Sequence, residues 1–220
     1  CDWSSDVCSS DLMSWVQKMK AFLLGGVYPS WNDNYAFRVL STGAFSYNNH
    51  PRPTFYLSDS CAGPAAMWKR ETFLSLHLED ELWLDDLGFP YGEDLVQFYK
   101  LVVNGYKLGI HYGIDIEHMD GKTSSARYKQ QSNRLQLRTK AQFIIWWRCF
   151  WQTDRFAKGA MLLRFSLKMT YQFLLILLAT PFLRRWDFPA QVIKGLREGW
   201  LFVHSPEFVI LRPYQFKKPS

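Results

Sequence analysis

The sign of the charge reverses along this chain, and that reversal limits its folds and partners more than any single motif. Residues 13–120 hold 8 Lys and Arg against 13 Asp and Glu, while residues 121–220 hold 18 against 4. An acidic half can supply catalytic carboxylates or hold a metal. A basic half rich in aromatic side chains suits an anionic surface such as phosphate, nucleic acid or membrane. A solvated basic face is the plainer reading of the same charges.

The count starts at residue 13 because residues 2–12, DWSSDVCSSDL, are residue for residue the translation of a common sequencing-library adapter. Residues 1–12 are therefore expected to be an artefact and not native protein, and they stay outside the fold reasoning. They lack the positive start and apolar run of a secretory signal as well. The native chain is then expected to have been cut at this junction, with Met13 internal and N-terminal sequence missing. Without them 208 residues remain, and the net charge rises from +6 to +9 because three Asp leave. That length makes one domain or the larger part of one. Cys61 and Cys149 are too few for a disulfide framework and suit a reducing compartment.

Hydrophobic periodicity orders the first half. MSWVQKMKAFLLGG has helical spacing and stops at Gly25 and Gly26. The Asn-, Gly- and Pro-rich stretch that follows reads as loop with one short strand. TFYLSDS reads as a buried strand before the small-residue turn CAGP. Pro64 then falls at a first helical position, leading PAAMWKRETFLSLH. LEDELWLDDLGFPYGED is acidic and broken by Gly88, Pro90 and Gly92. In EDLVQFYKLVVNGYK, Leu95, Phe98, Tyr99 and Val102 share a helical face that Gly105 closes. From Tyr106 the period changes to two. Leu108, Ile110, Tyr112, Ile114 and Ile116 continue the even positions, predicting a strand that delivers His118 to its end, before MDGKTSS. Helix, strand and polar turn in that order make an α/β signature, and such sheets bind ligands beyond their strand ends.

DSCAGPAAMWKRETF, GEDLVQFYKLVVNGYKLGI and HMDGKTSS, in this order and spacing, resemble the C-terminal half of a family 2 glycosyltransferase with the GT-A fold. The likeness covers residues 55–125 well, and 13–54 and 126–200 loosely. It implies an α/β fold: a partial Rossmann-like GT-A domain over residues 13–125, on the acceptor side of the enzyme, followed by a basic helical region, 126–220, attached to a membrane. It implies inverting transfer of a sugar from a nucleotide-sugar donor to a glycan or lipid-linked acceptor. Asp94 matches the general base that takes the acceptor's proton. Glu93 beside it supports the site and is expected to raise the proton affinity of Asp94 by like-charge repulsion. Acidic residues at a helix start are also favoured by the helix dipole with no catalysis involved.

The remaining candidates each carry a second explanation. Cys61, Ala62 and Gly63 would let a sugar or acceptor approach the backbone, or would simply pack strand on helix. Gly92 and Trp68 would line the acceptor site, although a tryptophan on an amphipathic helix is commonly core. His118 matches a histidine near the metal or diphosphate, or is a polar strand end. Lys122, Ser124 and Ser125 would touch phosphate, or form a mobile turn. The cofactor implied is a divalent metal, Mg or Mn, held mainly by an Asp-x-Asp that residues 13–220 do not contain. Asp115-Ile116-Glu117 is poorly placed to replace it. A fragment without that half is expected to be inactive alone. A glycoside hydrolase would need a second carboxylate across the scissile bond, which nothing here supplies.

The basic half combines aromatics, aliphatics and spaced cations from Lys140 to Arg185. The apolar run 169–183 is short of the roughly 20 residues that span a bilayer; extending it to Phe165 admits Lys168, which would snorkel. Interfacial helices fit better, with Trp146, Trp147 and Trp151 at headgroup depth. The alternative is burial in a core. The long apolar run and the lack of a helix-turn-helix, zinc or RNA-binding signature argue against nucleic acid. The tail from Trp200 reads as a strand or extended arm. Placement on the cytoplasmic face of the cell membrane, peripheral or with a single marginal span, follows from the family likeness. The rival reading is a non-catalytic, membrane-attached sugar-binding or scaffold protein sharing the fold.

Overall fold

The computed structural model describes residues 35–43, 45–47, 54–61, 66–87, 92–113, 133–153 and 158–214. Over these the chain is mostly helical, with short strands. β1 (Phe37–Val39) and β2 (Phe45–Tyr47) form an antiparallel hairpin in the stretch read as loop with one strand. β3 (Phe55–Ser58) pairs antiparallel with β4 (Leu108–His111), placing Phe55 opposite His111 and Ser58 opposite Leu108. The edge of β3 also meets β1, where the amide of Ala36 donates to the Leu57 carbonyl at 2.7 Å. Helix and sheet are both present, but the described strands pair antiparallel apart from one parallel bridge, Tyr35 to Leu57. They do not form a Rossmann-like parallel sheet.

The even positions of β4 turn inward, with Leu108 and Ile110 half-buried and Gly109 and His111 exposed, as the period of two requires. The strand stops at His111; residues 114–116, and the 13–26 helix, lie outside the described residues. β3 is not the buried strand expected: Phe55 is 75% exposed, because a two-stranded sheet leaves one face open. α1 (Arg70–Ser75) begins six residues after Pro64, not at it. Trp68 lies before the helix and stacks flat on Phe98, ring centroids 5.0 Å apart.

Leu78–Leu87, the acidic stretch, winds as a 3-10 helix kinked at Glu81. α2 (Glu93–Val103) buries Leu95, Phe98 and Tyr99 and ends at Asn104 and Gly105, close to the sequence reading. α3 (Arg134–Trp146) runs into a π-helical turn, Trp147–Trp151. That wide turn sends three consecutive residues, Arg148, Cys149 and Phe150, into the interior. α4 (Lys158–Leu183), α5 (Phe188–Val203) and the short α6 (Pro206–Val209) complete the order. The described tail is helical to Val209, not a strand, and Phe208 and Tyr214 are core residues.

One buried cluster takes Trp83, Leu95, Val96 and Tyr99 from the acidic half and Ile144, Trp146, Phe150 and Phe165 from the basic half. The charge reversal is used inside this core. Glu81 Oε1 accepts from Lys100 Nζ at 3.0 Å and from Arg148 Nη2 at 2.9 Å, and Oε2 accepts from Trp83 Nε1 at 2.7 Å. Arg148 also donates to the Arg212 carbonyl at 2.7 Å, and its guanidinium lies over the Tyr214 ring. Burial by itself would raise the Glu81 carboxyl; the hydrogen bond and charge of Arg148, with Lys100 and Trp83, bring it below the usual glutamate range.

α5 lies against α3 through Gly195 and Gly199, spaced four apart on one face. A Cβ at Gly195 would strike the Gln136 carbonyl and lie 2.9 Å from Thr139 Cβ; one at Gly199 would lie 3.0 Å from Phe143 Cδ1. Gly195→Ala is expected to cost about 1–3 kcal/mol, the range for overpacking a tight contact. Urea unfolding checks this, with the exposed Ala190→Gly as a reference substitution elsewhere on the same helix.

The tryptophans do not all meet water. Trp146 is buried, stacks on Phe165 at 3.9 Å and donates from Nε1 to the Ser41 carbonyl, so it is core and not at headgroup depth. Trp147 and Trp151 are half-buried against the same cluster. Lys168 does not snorkel either: it is buried, and Nζ donates to the Thr42 carbonyl at 2.9 Å. Thr42 lies in the β1–β2 turn, so this bond ties α4 to the hairpin. α4 is the one helix among the described residues long and apolar enough to cross a membrane, with 22% of its most apolar window buried.

Candidate functional site

α2 starts abruptly. Gly92 holds the N-cap position at φ 79, a left-handed conformation, and no side chain caps the helix. The first-turn amides are left for the two carboxylates of that turn, Glu93 and Asp94, which the helix dipole favours. Gly92 serves packing: a Cβ there would collide with Ile145 of α3, and the backbone conformation already disfavours any other residue. That contact fixes where the carboxylates emerge.

Burial raises the Asp94 carboxyl above the usual aspartate value. Glu93 is raised as well, first by burial and then by Asp94 and Asp85. Both carboxyls of the pair are raised, and their mutual repulsion favours protonation of one of them. A raised carboxylate is a stronger base once ionised, which suits proton removal from a hydroxyl.

Cys61, at the end of the β3 segment, comes within electrostatic reach of Asp94: burial first, then the Asp94 charge, pushes its thiol up. It is a free, half-buried thiol and stays protonated. Trp68 stands nearby, stacked on Phe98 and edge-on to Phe73 at 5.5 Å, packed with Cys61 against the Leu76–Phe98–Leu101 cluster. Cys61 is thus within electrostatic reach of Asp94, and Cys61 and Trp68 pack on the same small cluster as Phe98 of α2, while Gly92 packs against α3. Ala62, Gly63, His118, Lys122, Ser124 and Ser125 lie outside the described residues, as does Asp115-Ile116-Glu117.

Two residues at this place were not singled out from the sequence. Tyr56 and Tyr112 meet edge to face, centroids 5.6 Å apart, across β3 and β4. The Tyr112 phenol is raised by burial, then by Cys61 and Tyr56. Its even position in the alternating run was the available signal, since it fixed Tyr112 on the inner face beside Leu108 and Ile110. Each tyrosine offers a flat apolar ring and a hydroxyl.

Among the described residues, no group of three or more His, Cys, Asp or Glu side chains is disposed to hold a metal ion. Glu93 and Asp94 raise no third ligand, so this part of the site does not fit a divalent ion on its own. No family model matches the chain, and neither a curated protein nor a solved structure matches it.

Proposed function

We propose that this chain is the acceptor-side part of an inverting, family-2-like glycosyltransferase on a GT-A-type fold, working at the cytoplasmic face of a membrane on a glycan or lipid-linked acceptor. The observation that carries the reading is that Cys61 lies within electrostatic reach of Asp94 and packs with Trp68 on the cluster that holds Phe98 of the same helix, although these residues come from separate stretches of the sequence likeness. Asp94 takes the proton of the acceptor hydroxyl. The acceptor oxygen forms its bond to the anomeric carbon as the bond to the diphosphate oxygen breaks and the electron pair leaves with the diphosphate. Glu93 and the helix N-terminus hold Asp94 in place, while Trp68, Tyr56 and Tyr112 shape the acceptor side. A Mg or Mn ion, if bound through an Asp-x-Asp elsewhere, would offset charge on the leaving diphosphate; no step assigned to these residues depends on it.

The test is Asp94→Asn in a chain that includes a nucleotide-sugar-binding half. Transfer should be lost while donor binding stays near normal. Turnover close to that of the unmodified enzyme would sink the assignment. The Tyr56–Tyr112 pair also favours a second reading, a non-catalytic sugar-binding protein. Glycan binding by the unaltered chain without transfer, weakened by Tyr112→Ala but not by Asp94→Asn, would select it.

A further inference from the structure

α4 is built inside out. Its protein-facing side holds Met161, Phe165 and Met169 but also Lys168, Gln172 and Thr180, and the last satisfies its hydroxyl on the Ile176 carbonyl at 2.7 Å. Its outward side is a stripe of Leu163, Leu167, Leu174, Leu178 and Phe182, all exposed, with Leu178 at 67% and Phe182 at 89%. These positions recur at helical spacing along the element and form an apolar stripe interrupted at exposed Ser166 and Thr170. A helix bathed in water carries the opposite pattern. Cations mark both ends: Lys158 at the start and Arg184 just past the last turn, with Arg185 beside it paired to Asp187, followed by Trp186, which is 73% exposed.

We infer that this stripe lies in one leaflet of an anionic membrane, with α4 parallel to the surface. This deepens the membrane attachment in the proposed function and rests on that reading. The occupant follows from the charge pattern. Cations at both ends of an apolar stripe, in a half of the chain with 18 Lys and Arg against 4 Asp and Glu, complement acidic headgroups above acyl chains. A second copy of the chain would bring like charge to like charge. The flat orientation follows from the first half of the helix. Phe165 and Lys168 fasten it to Trp146 and the β1–β2 turn, so an upright helix would draw that polar turn into hydrocarbon. The apolar run 169–183 is about 22 Å long at 1.5 Å per residue, short of the bilayer core.

The experiment is flotation of the full chain with vesicles of phosphatidylcholine, or of phosphatidylcholine with phosphatidylglycerol. The chain should float with the acidic vesicles and far less with the neutral ones. Leu174→Asp with Leu178→Asp should cut the partition at least about tenfold, and Phe182→Ser should lower it as well, since each places polar atoms against acyl chains. Both sites are exposed, so unfolding curves should match the unmodified chain. Quenching of Trp186, taken as the difference from Trp186→Phe, should be strong with a headgroup quencher and weak with lipid brominated at mid-chain. Unchanged flotation in both stripe variants overturns the inference. So does a chain that ignores vesicles but forms a dimer that the stripe variants dissociate, and so does deep quenching of Trp186. Asp94→Asn should float like the unmodified chain, so loss of catalysis and loss of the lipid surface read out separately.

Discussion

Glu81→Ala should lower stability by about 3–5 kcal/mol, the cost of removing one partner from a buried ion pair. The reason is what it leaves behind. Lys100 and Arg148 would face each other inside the core with no carboxylate between them, and the Trp83 indole N–H would lose its acceptor. At this chain length such a loss corresponds to a fall in Tm of roughly 10 °C. Adding Arg148→Met to Glu81→Gln should recover part of the loss, because an apolar side chain of similar reach removes the unpaired cation. A double variant as unstable as the sum of the singles would show that the two residues act separately.

The same carboxylate has a pH signature. Its folded value is lowered, so its contribution is full above the ordinary glutamate value of about 4.3 and disappears as pH falls through the lower folded value. The stability gap between the unmodified chain and Glu81→Ala should therefore be wide at about pH 7 and narrow at about pH 3. Urea unfolding at the two values measures it. A gap that stays constant would mean that Glu81 does not titrate with the fold.

Asp94→Asn is the second large effect. Removing a general base typically costs about 100- to 10,000-fold in turnover. The amide keeps the shape of the carboxylate and cannot accept the hydroxyl proton, so kcat should fall with little change in donor affinity. Because burial raises Asp94, the acid limb of kcat/KM should have its midpoint above the ordinary aspartate value of about 3.9, and activity should be lost as pH falls through it. That limb should vanish from whatever activity remains in Asp94→Asn. Glu93→Gln removes the neighbouring charge but should keep an acid limb, since Asp94 still titrates. A limb displaced by Glu93→Gln as far as by Asp94→Asn would make Glu93 the titrating group.

Parts of this were written in local periodicity, and those parts the structure repeats. The phase of Leu95, Phe98 and Tyr99 fixes the inner face of α2, and the even positions of β4 fix which way Leu108 and Ile110 turn. What the sequence leaves open is what covers an apolar surface. Trp146 and Trp151 lie in the same aromatic stretch whether lipid or protein meets them, and only the arrival of Phe165 decides that Trp146 is core. Strand direction is equally hidden: helix–strand alternation pointed to parallel pairing, and the partner of β3 runs antiparallel. Glu81 is the clearest case. Its partners lie 19 and 67 residues away, and a count of charges reveals an imbalance between halves without naming the atoms that meet. The start of α2 was legible because a Gly followed by two acids is a local signal; the Tyr56–Tyr112 contact was not, because it depends on the register between two strands.

The salt bridge between Glu81 and Arg148 has an engineering consequence. A cut at residue 120 would divide the polypeptide where its charge reverses, yet both pieces contribute to a single interior. The two pieces, one acidic and one strongly basic, would each carry half of a hydrophobic surface and the matching half of an ion pair. Such pieces behave as a split protein: they should stay together after nicking and reassemble from separate solutions, faster at low ionic strength than at high. The boundary in composition is thus a seam at which the molecule can be opened and closed.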